Sequence, residues 1–217
     1  MRRKSFVPAV ILAVIMAMAV NAQESTLIIG GQIGQFVPSD DRLQGRGMLF
    51  NGSLSGIYGA REVIGSIGYR FNKMEFRFES GIRWHEHRAK YMEYDYTAQL
   101  YIFPVVVSVL HRISIPEAKI LPFLGIGAGI YISEWQEYYI GHYDILNWIK
   151  GDAIHPGYHI LAGADYAIGD FSIISELRYS LIYGDWEIRN PRYESSRKIS
   201  SLNIGGLSLR VGLGYEL

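Results

Sequence analysis

Few residues of this 217-residue sequence stand at spacings that could support chemistry. His85 and His87 flank Glu86 on one face of an alternating segment, and two imidazoles placed in this way could ligate a metal ion. The sequence offers no third ligand beside them, and His155 and His159 are equally unsupported. We therefore expect solvated bases at a strand end and predict no metal and no cofactor.

Nucleophilic catalysis requires a base held beside the attacking hydroxyl. Ser175 and Ser180 are candidate nucleophiles, but the sequence places no histidine beside either of them, so no catalytic residues and no enzyme activity are predicted. The glycines of segment 125–129 superficially resemble a dinucleotide loop, which requires a strand, a turn and a helix in succession. Here they alternate with apolar residues, which favours a strand whose glycines make room for large side chains.

The composition excludes further classes. The chain has no cysteine, which excludes disulfide scaffolds, thiolate metal sites and cysteine nucleophiles, and also a lipid anchor on cysteine. Its formal net charge is zero, so no nucleic-acid partner is predicted. Charged residues make up 19%, below the roughly 25% of ordinary soluble domains, while 24 glycines and 16 tyrosines are many.

The elements that position these residues are strands, because strict alternation replaces any helical repeat. The clearest case runs from Met74 to His85. Successive strand side chains point to opposite faces, so this strand lies between an apolar and an ionic environment. One face carries Met74, Phe76, Phe78, Ser80, Ile82 and Trp84, and the other carries Glu75, Arg77, Glu79, Gly81, Arg83 and His85.

Seven further segments alternate, and the connections between the strands alternate in length. The segments are 26–36, 61–71, 93–110, 124–133, 157–168, 171–181 and 207–217. Tight turns fall at 72–73 and 169–170, a short turn at 112–119 and an intermediate connection at about 86–92, and longer loops are predicted at 37–60, 134–156 and 185–200. Short turns at one end with longer loops at the other are typical of membrane barrels. In hydrocarbon every backbone group must be paired, so the sequence predicts an all-β fold: an eight-stranded antiparallel up-and-down transmembrane β-barrel.

The first residues read as an export signal. Arg2, Arg3 and Lys4 precede an apolar run over 6–20, and Ala22 offers a small residue at a cleavage position. This pattern predicts a secretory signal peptide over 1–22 and a barrel domain over 23–217. A membrane-anchor helix is the alternative, but the run is short of the ~20 residues needed to span a bilayer.

The polar strand faces are predicted to line the barrel interior, where acids and bases balance. Because unpaired buried charge is costly, we interpret this set as a structural salt-bridge core, with a narrow ion pathway or gate as the alternative. The predicted interior ionic residues are Arg70, Glu75, Arg77, Glu79, Arg83, Asp165, Glu176, Arg178, Arg210 and Glu216.

Aromatic residues fall into two predicted groups. Amphipathic rings collect at membrane–water boundaries, although strands are also enriched in aromatic residues without that reason. The boundary candidates are Tyr69, Trp84, Tyr96, Tyr158, Tyr166, Tyr179, Tyr183 and Tyr215. A second group in the predicted loop 134–156 could bind an external ligand or fold onto the rim: Trp135, Tyr138, Tyr139, Tyr143 and Trp148.

The chain resembles the family of small outer-membrane β-barrels of the OmpA transmembrane-domain type. Three segments carry the resemblance: Gln35–Asp41 at the end of the first strand, Leu121–Gly129 in the middle, and Gly205–Leu217 at the end. The resemblance implies a barrel in the bacterial outer membrane, inserted by the barrel assembly machinery. Such chains usually end on an aromatic residue, whereas this one ends on Leu217, with Tyr215 two places before.

Four functions remain open at this stage. The first is a monomeric structural or surface-interaction barrel, embedded in outer-membrane lipid and meeting an extracellular ligand or protein through its loops. A narrow porin-like channel is the second, and a lipid A-modifying enzyme is the third. The fourth is a soluble lipocalin-like barrel, which would also alternate but with its apolar residues turned inward.

Overall fold

The computed structural model describes the backbone of most of the chain after residue 24. The described ranges are 25–39, 60–91, 94–116, 118–140, 145–190 and 195–217. Side chains are described for 25–39, 60–86, 97–116, 118–136, 150–185 and 203–217. The predicted signal peptide of residues 1–22 lies outside these ranges. In the described part, no helix is long and apolar enough to cross a membrane.

Nine β-segments follow one another along the described chain. They are β1 (Ser25–Pro38), β2 (Ala60–Phe71), β3 (Met74–Tyr91), β4 (Tyr94–Arg112), β5 (Ile120–Ile140), β6 (Ile145–Ile168), β7 (Phe171–Asn190), β8 (Ser195–Asn203) and β9 (Gly206–Glu216).

The segments close into a ring of antiparallel neighbours. Each pairs with the next from β1 to β7, and β1 also pairs with β9. The last two segments share one wall position, because β7 pairs with β9 along its first half and with β8 along its second. A break at Ile204 and Gly205 separates them. The wall therefore has eight strands, and the predicted eight-stranded antiparallel barrel is confirmed.

The tight turns lie at one end of the barrel, and β1 begins and β9 ends at this same end. We call it the turn end. It contains Asn72–Lys73 and Gly169–Asp170, and both Asn72 and Gly169 adopt the positive φ that such turns require. The opposite end is called the loop end. With this orientation, β1 runs from turn end to loop end and its neighbours alternate in direction.

The connection predicted at about 86–92 and two of the three predicted loops are shorter than expected, and the predictions of loops over 134–156 and 185–200 are wrong. β5 continues to Ile140 and β6 begins at Ile145, so most of 134–156 is paired strand. Likewise β7 continues to Asn190 and β8 begins at Ser195. The pattern changes here because outward residues such as Glu134 become polar while inward ones such as Trp135 are apolar. Of the predicted loop 37–60, Val37, Pro38 and Ala60 belong to strands and 40–59 lie outside the described residues.

The outer face of the barrel is an apolar band. Ile33, Ile126 and Leu209 expose 67%, 66% and 57% of their surface there, whereas the inward-facing Glu79 and Glu176 expose none. A soluble barrel would bury its apolar residues instead, so this arrangement contradicts the lipocalin-like alternative. Towards the loop end the band stops at outward-facing polar residues, which we call the polar ring: Glu86, Gln99, Glu134, Asp152 and Asp185.

Candidate functional site in the barrel interior

Charged side chains fill the middle of the barrel, and we call this set the ionic layer. It contains the ten residues predicted from the sequence, together with Glu62 and Arg112. Ten of the twelve expose at most 4% of their surface, while the side chains of Arg70 and Glu216 at the turn end expose 15% and 35%. Six acids thus face six arginines in the described interior.

Two ion pairs cross the full width of the barrel. Arg77 on β3 donates to Glu176 on β7 with an N–O distance of 3.0 Å, and Arg178 on β7 donates back to Glu79 on β3 at 2.6 Å. β3 and β7 are four wall positions apart in a ring of eight, so they face each other directly. These reciprocal bridges occupy the centre of the lumen.

A second group of contacts joins β9, β1, β2 and β3. Arg210 donates to Glu62 from Nε at 2.9 Å and from Nη2 at 3.1 Å, and Arg83 also reaches Glu62 at 3.1 Å. The Arg210–Glu62 bridge passes over β1 at Gly34, where an added Cβ would lie 2.5 Å from the backbone oxygen of Leu209, 2.9 Å from Arg210 Cγ and 3.0 Å from Glu62 Oε1. Glycine is therefore required beneath this bridge. The Arg83 guanidinium also lies 3.8 Å from the centroid of the Phe36 ring.

The turn-end side of the ionic layer centres on Glu75. This carboxylate accepts from Arg77 Nε at 2.8 Å and is bridged by Arg112, which also binds Asp165 on β6. The Phe123 ring lies beneath both arginines, at 5.4 Å from Arg77 and 5.7 Å from Arg112. Nearest the turn end, Arg70 pairs with Glu216 at 2.7 Å.

Sequence reasoning missed Glu62 and Arg112. Glu62 is an even number of residues from Arg70 on the same strand, so the alternation of β2 could have identified it as inward-facing. The sequence pattern predicts a turn at Arg112. In the structure Arg112 is the last residue of β4, and it faces inward as Ser108 and Leu110 do. Both residues carry several bridges, so the missed pair is central to the network.

Several buried polar atoms of the described interior have no protein partner. They include both amide atoms of Gln32, Nη1 of Arg83, Nδ1 of His159 and Oγ of Ser180. Buried polar groups are satisfied by ordered water where protein partners are lacking. The interior therefore combines direct ion pairs with positions suited to bound water.

A serine–histidine contact lies within the same layer. His159 reaches across Gly127 so that its Nε2 lies 2.8 Å from Ser108 Oγ, and Ser108 donates to Glu79 at 3.3 Å. In a nucleophilic triad the acid orients the histidine, whereas here Glu79 binds the serine. Ser108 and His159 expose 0% and 3% of their surface, so the contact is a buried structural one. His85 also faces inward at 7% exposure, so the expected solvated base is wrong at this position.

Towards the loop end the interior becomes apolar. This apolar layer consists of Ala98, Leu100, Ile102, Val106, Tyr131, Trp135, Ile182 and Ile204. Trp135 exposes only 7% and points inward, so its predicted place in an external loop is wrong, since the strand extension turns it into the barrel. Tyr138, Tyr139 and Trp148 lie on strands with their side chains outside the described ranges, and Tyr143 lies outside altogether.

The outward aromatic residues occupy three heights of the wall. Tyr69, Tyr166 and Tyr215 lie near the turn end, where Tyr215 contacts Phe171 with ring centroids 4.8 Å apart. Trp84, paired with Tyr101 across the ladder, and Tyr183 lie beside the polar ring. Tyr158 and Tyr179 lie within the wall, not near strand ends as predicted, because β6 and β7 continue well beyond them. The side chain of Tyr96 lies outside the described ranges.

Glu134 of the polar ring forms an exposed ion pair on the outer face. Lys150 on β6 lies 2.9 Å from Glu134 on β5, with the two side chains 48% and 33% exposed. Gln136 also donates to Glu134 at 2.8 Å. The hydrogen bonds from Lys150 and Gln136 hold the pKa of Glu134 below its usual value. This chemistry suits an aqueous surface beyond the apolar band.

No family model and no curated protein matches the sequence. Solved structures share the fold. The chain is similar to the outer membrane protein OprG from Pseudomonas aeruginosa, with a TM-score of 0.60 and 14% identity over 89% of this chain and 96% of that one. It is also similar to a major outer membrane protein from Thermus thermophilus, with a TM-score of 0.55 and 9% identity over 90% of this chain and 100% of that one. The molecule thus has the fold of small membrane-spanning β-barrels.

Proposed function

We propose that the protein is an outer-membrane β-barrel that does not conduct ions and acts through its loop end. The apolar outer band, bounded by the polar ring, suits a wall embedded in lipid. The two solved structures of the same fold are both described as outer-membrane proteins. Outer-membrane lipid is then the surrounding partner, and no catalysis is assigned to the chain.

The observation that carries this proposal is the pair of ion bridges across the barrel. Arg77–Glu176 and Arg178–Glu79 join facing strands through the middle of the lumen. Opening a pore there would separate buried charges from their partners, which costs several kcal/mol per pair. The apolar layer closes the lumen a second time nearer the loop end. Stable conduction would require both layers to rearrange.

The proposed role lies at the loop end, where the wall extends past the apolar band. The strands β3 to β8 form this extension, and the connections from β1 to β2, from β5 to β6 and from β7 to β8 would meet an external ligand or protein. In this proposal residues 1–22 direct export and are removed, the barrel assembly machinery inserts the chain, and the barrel functions as a monomer.

Two measurements test the proposal together. Membrane fractions washed with urea should retain the protein, and its gel mobility should change on heating, as expected for a closed membrane barrel. In planar bilayers the wild type should give no stable open current, whereas Arg77→Ala should destabilise the barrel and raise the frequency of current bursts. Lys150→Ala on the exposed rim is the matched control and should behave as wild type. A protein released by carbonate contradicts the membrane location, and a steady wild-type current contradicts the closed lumen.

A narrow water-filled channel is the second candidate. The buried amide of Gln32 and the unpartnered atoms of Arg83, His159 and Ser180 favour it, because they call for water inside the barrel. Arg77→Ala separates the two candidates. If both stability and conductance stay unchanged in this variant, the ionic layer does not close the lumen.

A further inference from the structure

An arginine stands on the outer face of the wall at the edge of the apolar band. Arg61 is the second residue of β2 and is exposed, whereas Ala60 and Glu62 on either side of it are buried. The next outward residue towards the turn end is Val63, which exposes 46% of its surface. Arg61 is therefore a basic side chain on the lipid-facing side, at the point where the band ends on β2.

The neighbouring strand shows that this position lies at the boundary of the band. Arg61 is paired in the ladder with Trp84 on β3, and Trp84 is paired with Tyr101 on β4. On β3 the outward residue before Trp84 is Ile82, and the outward residue after it is Glu86 of the polar ring. Tryptophan and tyrosine collect where a membrane wall meets the lipid headgroups. A long arginine side chain at this level extends its charge to those headgroups.

The guanidinium of Arg61 makes no hydrogen bond, ion pair or ring contact among the described residues. Its chain neighbour Glu62 points inward and belongs to the ionic layer. Glu86, diagonal to Arg61 across the ladder, accepts a hydrogen bond from Gln99 at 3.1 Å. An outward arginine on a membrane barrel costs little near the headgroups and much more at the midplane. The anion that is available to Arg61 at this boundary is the phosphate of a lipid.

Two further hydrogen-bond donors flank Arg61 on the outer face. Gln35 on β1 and Trp84 on β3 are its ladder partners on the two sides, and directly opposed residues have Cβ atoms about 4.5–5.5 Å apart. The side chains of Gln35 and Trp84 also have no hydrogen-bond partner among the described residues. We call these three residues the donor row. It presents a guanidinium fork, an amide and an indole N–H side by side, with no acid among them.

We propose that the donor row binds a phosphate monoester of lipid A in the outer leaflet. The inference rests on the proposed membrane location and on a loop end that faces the outside. Arginine binds phosphate through two parallel N–H···O bonds, and the amide and the indole add one donor on each side of it. A phosphate monoester presents three free oxygens to these three groups, whereas the phosphodiester of a phospholipid presents two. The donor row therefore fits lipid A better than it fits a phospholipid.

Native mass spectrometry of the exported protein tests this site. The protein is reconstituted in phosphatidylcholine vesicles that contain lipid A with both of its phosphates, and is then extracted into detergent. We expect wild type to retain one lipid A. Arg61→Gln should reduce the retained fraction by roughly tenfold, because a neutral amide cannot replace the charge-assisted fork. Arg61→Lys keeps the charge without the fork and should lie between the two, and retention equal to wild type would overturn the bidentate contact.

Lys150→Gln is the matched control. It removes the same charge from the outer face near the loop end, but Lys150 already pairs with Glu134 at 2.9 Å. This variant should therefore retain lipid A as wild type does. If Lys150→Gln and Arg61→Gln lose lipid A equally, the donor row is overturned in favour of overall surface charge. Full retention in Arg61→Gln overturns it as well.

The chemistry of the ligand is tested by two comparisons in the same vesicles. Gln35→Leu combined with Trp84→Phe removes the neutral donors and should lose part of the retained lipid A, and unchanged retention would overturn their role. Wild type should retain lipid A better than lipid A freed of its phosphates, and better than phosphatidylglycerol. Equal retention of the dephosphorylated form overturns the phosphate contact, and equal retention of phosphatidylglycerol overturns the choice of a monoester.

Heat-dependent gel mobility is measured on every variant, so that loss of the folded barrel is not read as loss of lipid. Wild type that inserts and shifts on heating but retains no lipid A overturns the donor row alone. Wild type that fails to enter the vesicles overturns the proposed membrane function itself.

Discussion

The ionic layer and the apolar layer fill the same barrel with opposite chemistry. Along β4, Ser108 binds a carboxylate of the ionic layer, while Val106 two residues nearer the loop end packs in the apolar layer. Along β7 the change falls between Arg178 and Ile182. Nearer the loop end the outer face passes into the polar ring. The apolar layer begins behind the apolar band, where Val106 and Ile182 lie beside the outward Val107 and Leu181, and it continues to the level of the polar ring.

The ionic layer and the apolar layer stabilise the barrel in different ways. The ionic layer depends on complete pairing, because each member left without its partner is a buried charge. The apolar layer depends on volume and shape, and its members can be exchanged for others of similar size at small cost. The two layers should therefore respond differently to substitution.

Removal of one acid from the ionic layer should have the largest effect. Glu79→Ala leaves Arg178, which lies 2.6 Å away, and Arg210, at 3.4 Å, short of a counter-charge. We expect a loss of about 3–5 kcal/mol in the free energy of unfolding. Urea unfolding in lipid vesicles, followed by the heat-dependent gel shift, measures it. If Glu79→Ala lowers the free energy of unfolding by less than a truncation in the apolar layer does, the two layers do not differ as proposed.

Truncation in the apolar layer should come next. Ile182 exposes none of its surface, and Ile182→Ala should cost about 2–4 kcal/mol by leaving a cavity. Ile182→Leu conserves the volume and should cost less than about 1.5 kcal/mol. The same unfolding assay applies. If the leucine variant is as unstable as the alanine variant, the layer requires one specific shape and the proposed tolerance is wrong.

Alanine substitutions at two glycines of β1 compare the inner face of the wall with its outer face. Gly34→Ala places a methyl group 2.5 Å from the Leu209 backbone oxygen and 2.9 Å from Arg210 Cγ, and this crowding should cost about 1–3 kcal/mol. Gly31→Ala faces open space on the outer wall and should stay within about 0.5 kcal/mol of wild type. Equal effects would show that backbone propensity, rather than crowding on the inner side of Gly34, decides the outcome.

The exposed Glu134–Lys150 pair should have the smallest effect. Glu134→Gln should lower the free energy of unfolding only slightly near neutral pH, because exposed pairs are well screened. The pKa of Glu134 is lowered in the folded protein, so the small contribution of its charge is present above the ordinary carboxyl pKa and is lost as the pH falls below it. Unfolding of wild type and variant should therefore converge in acid, and divergence there would contradict the assigned pairing.

Sequence reasoning reached the barrel because period-two alternation is local. The inward position of Arg77 or Glu176 follows from counting along one strand, and so would that of Glu62. The lengths of the strands near the loop end could not be predicted in this way. There the inner face becomes apolar and the outer face polar, and this reversed pattern resembles the sequence of an irregular loop. Trp135 and Tyr158 were misplaced for this reason.

The sequence by itself determined the wall: the alternating faces, the tight turns, and the balance of acids and bases on the inner side. Only the tertiary structure decided which charges meet. Arg77 reaches Glu176 because ring closure brings β3 and β7 face to face. The two residues are far apart in the chain, so the alternation within a single strand cannot predict their contact. The same closure places Gly34 beneath the Arg210–Glu62 bridge.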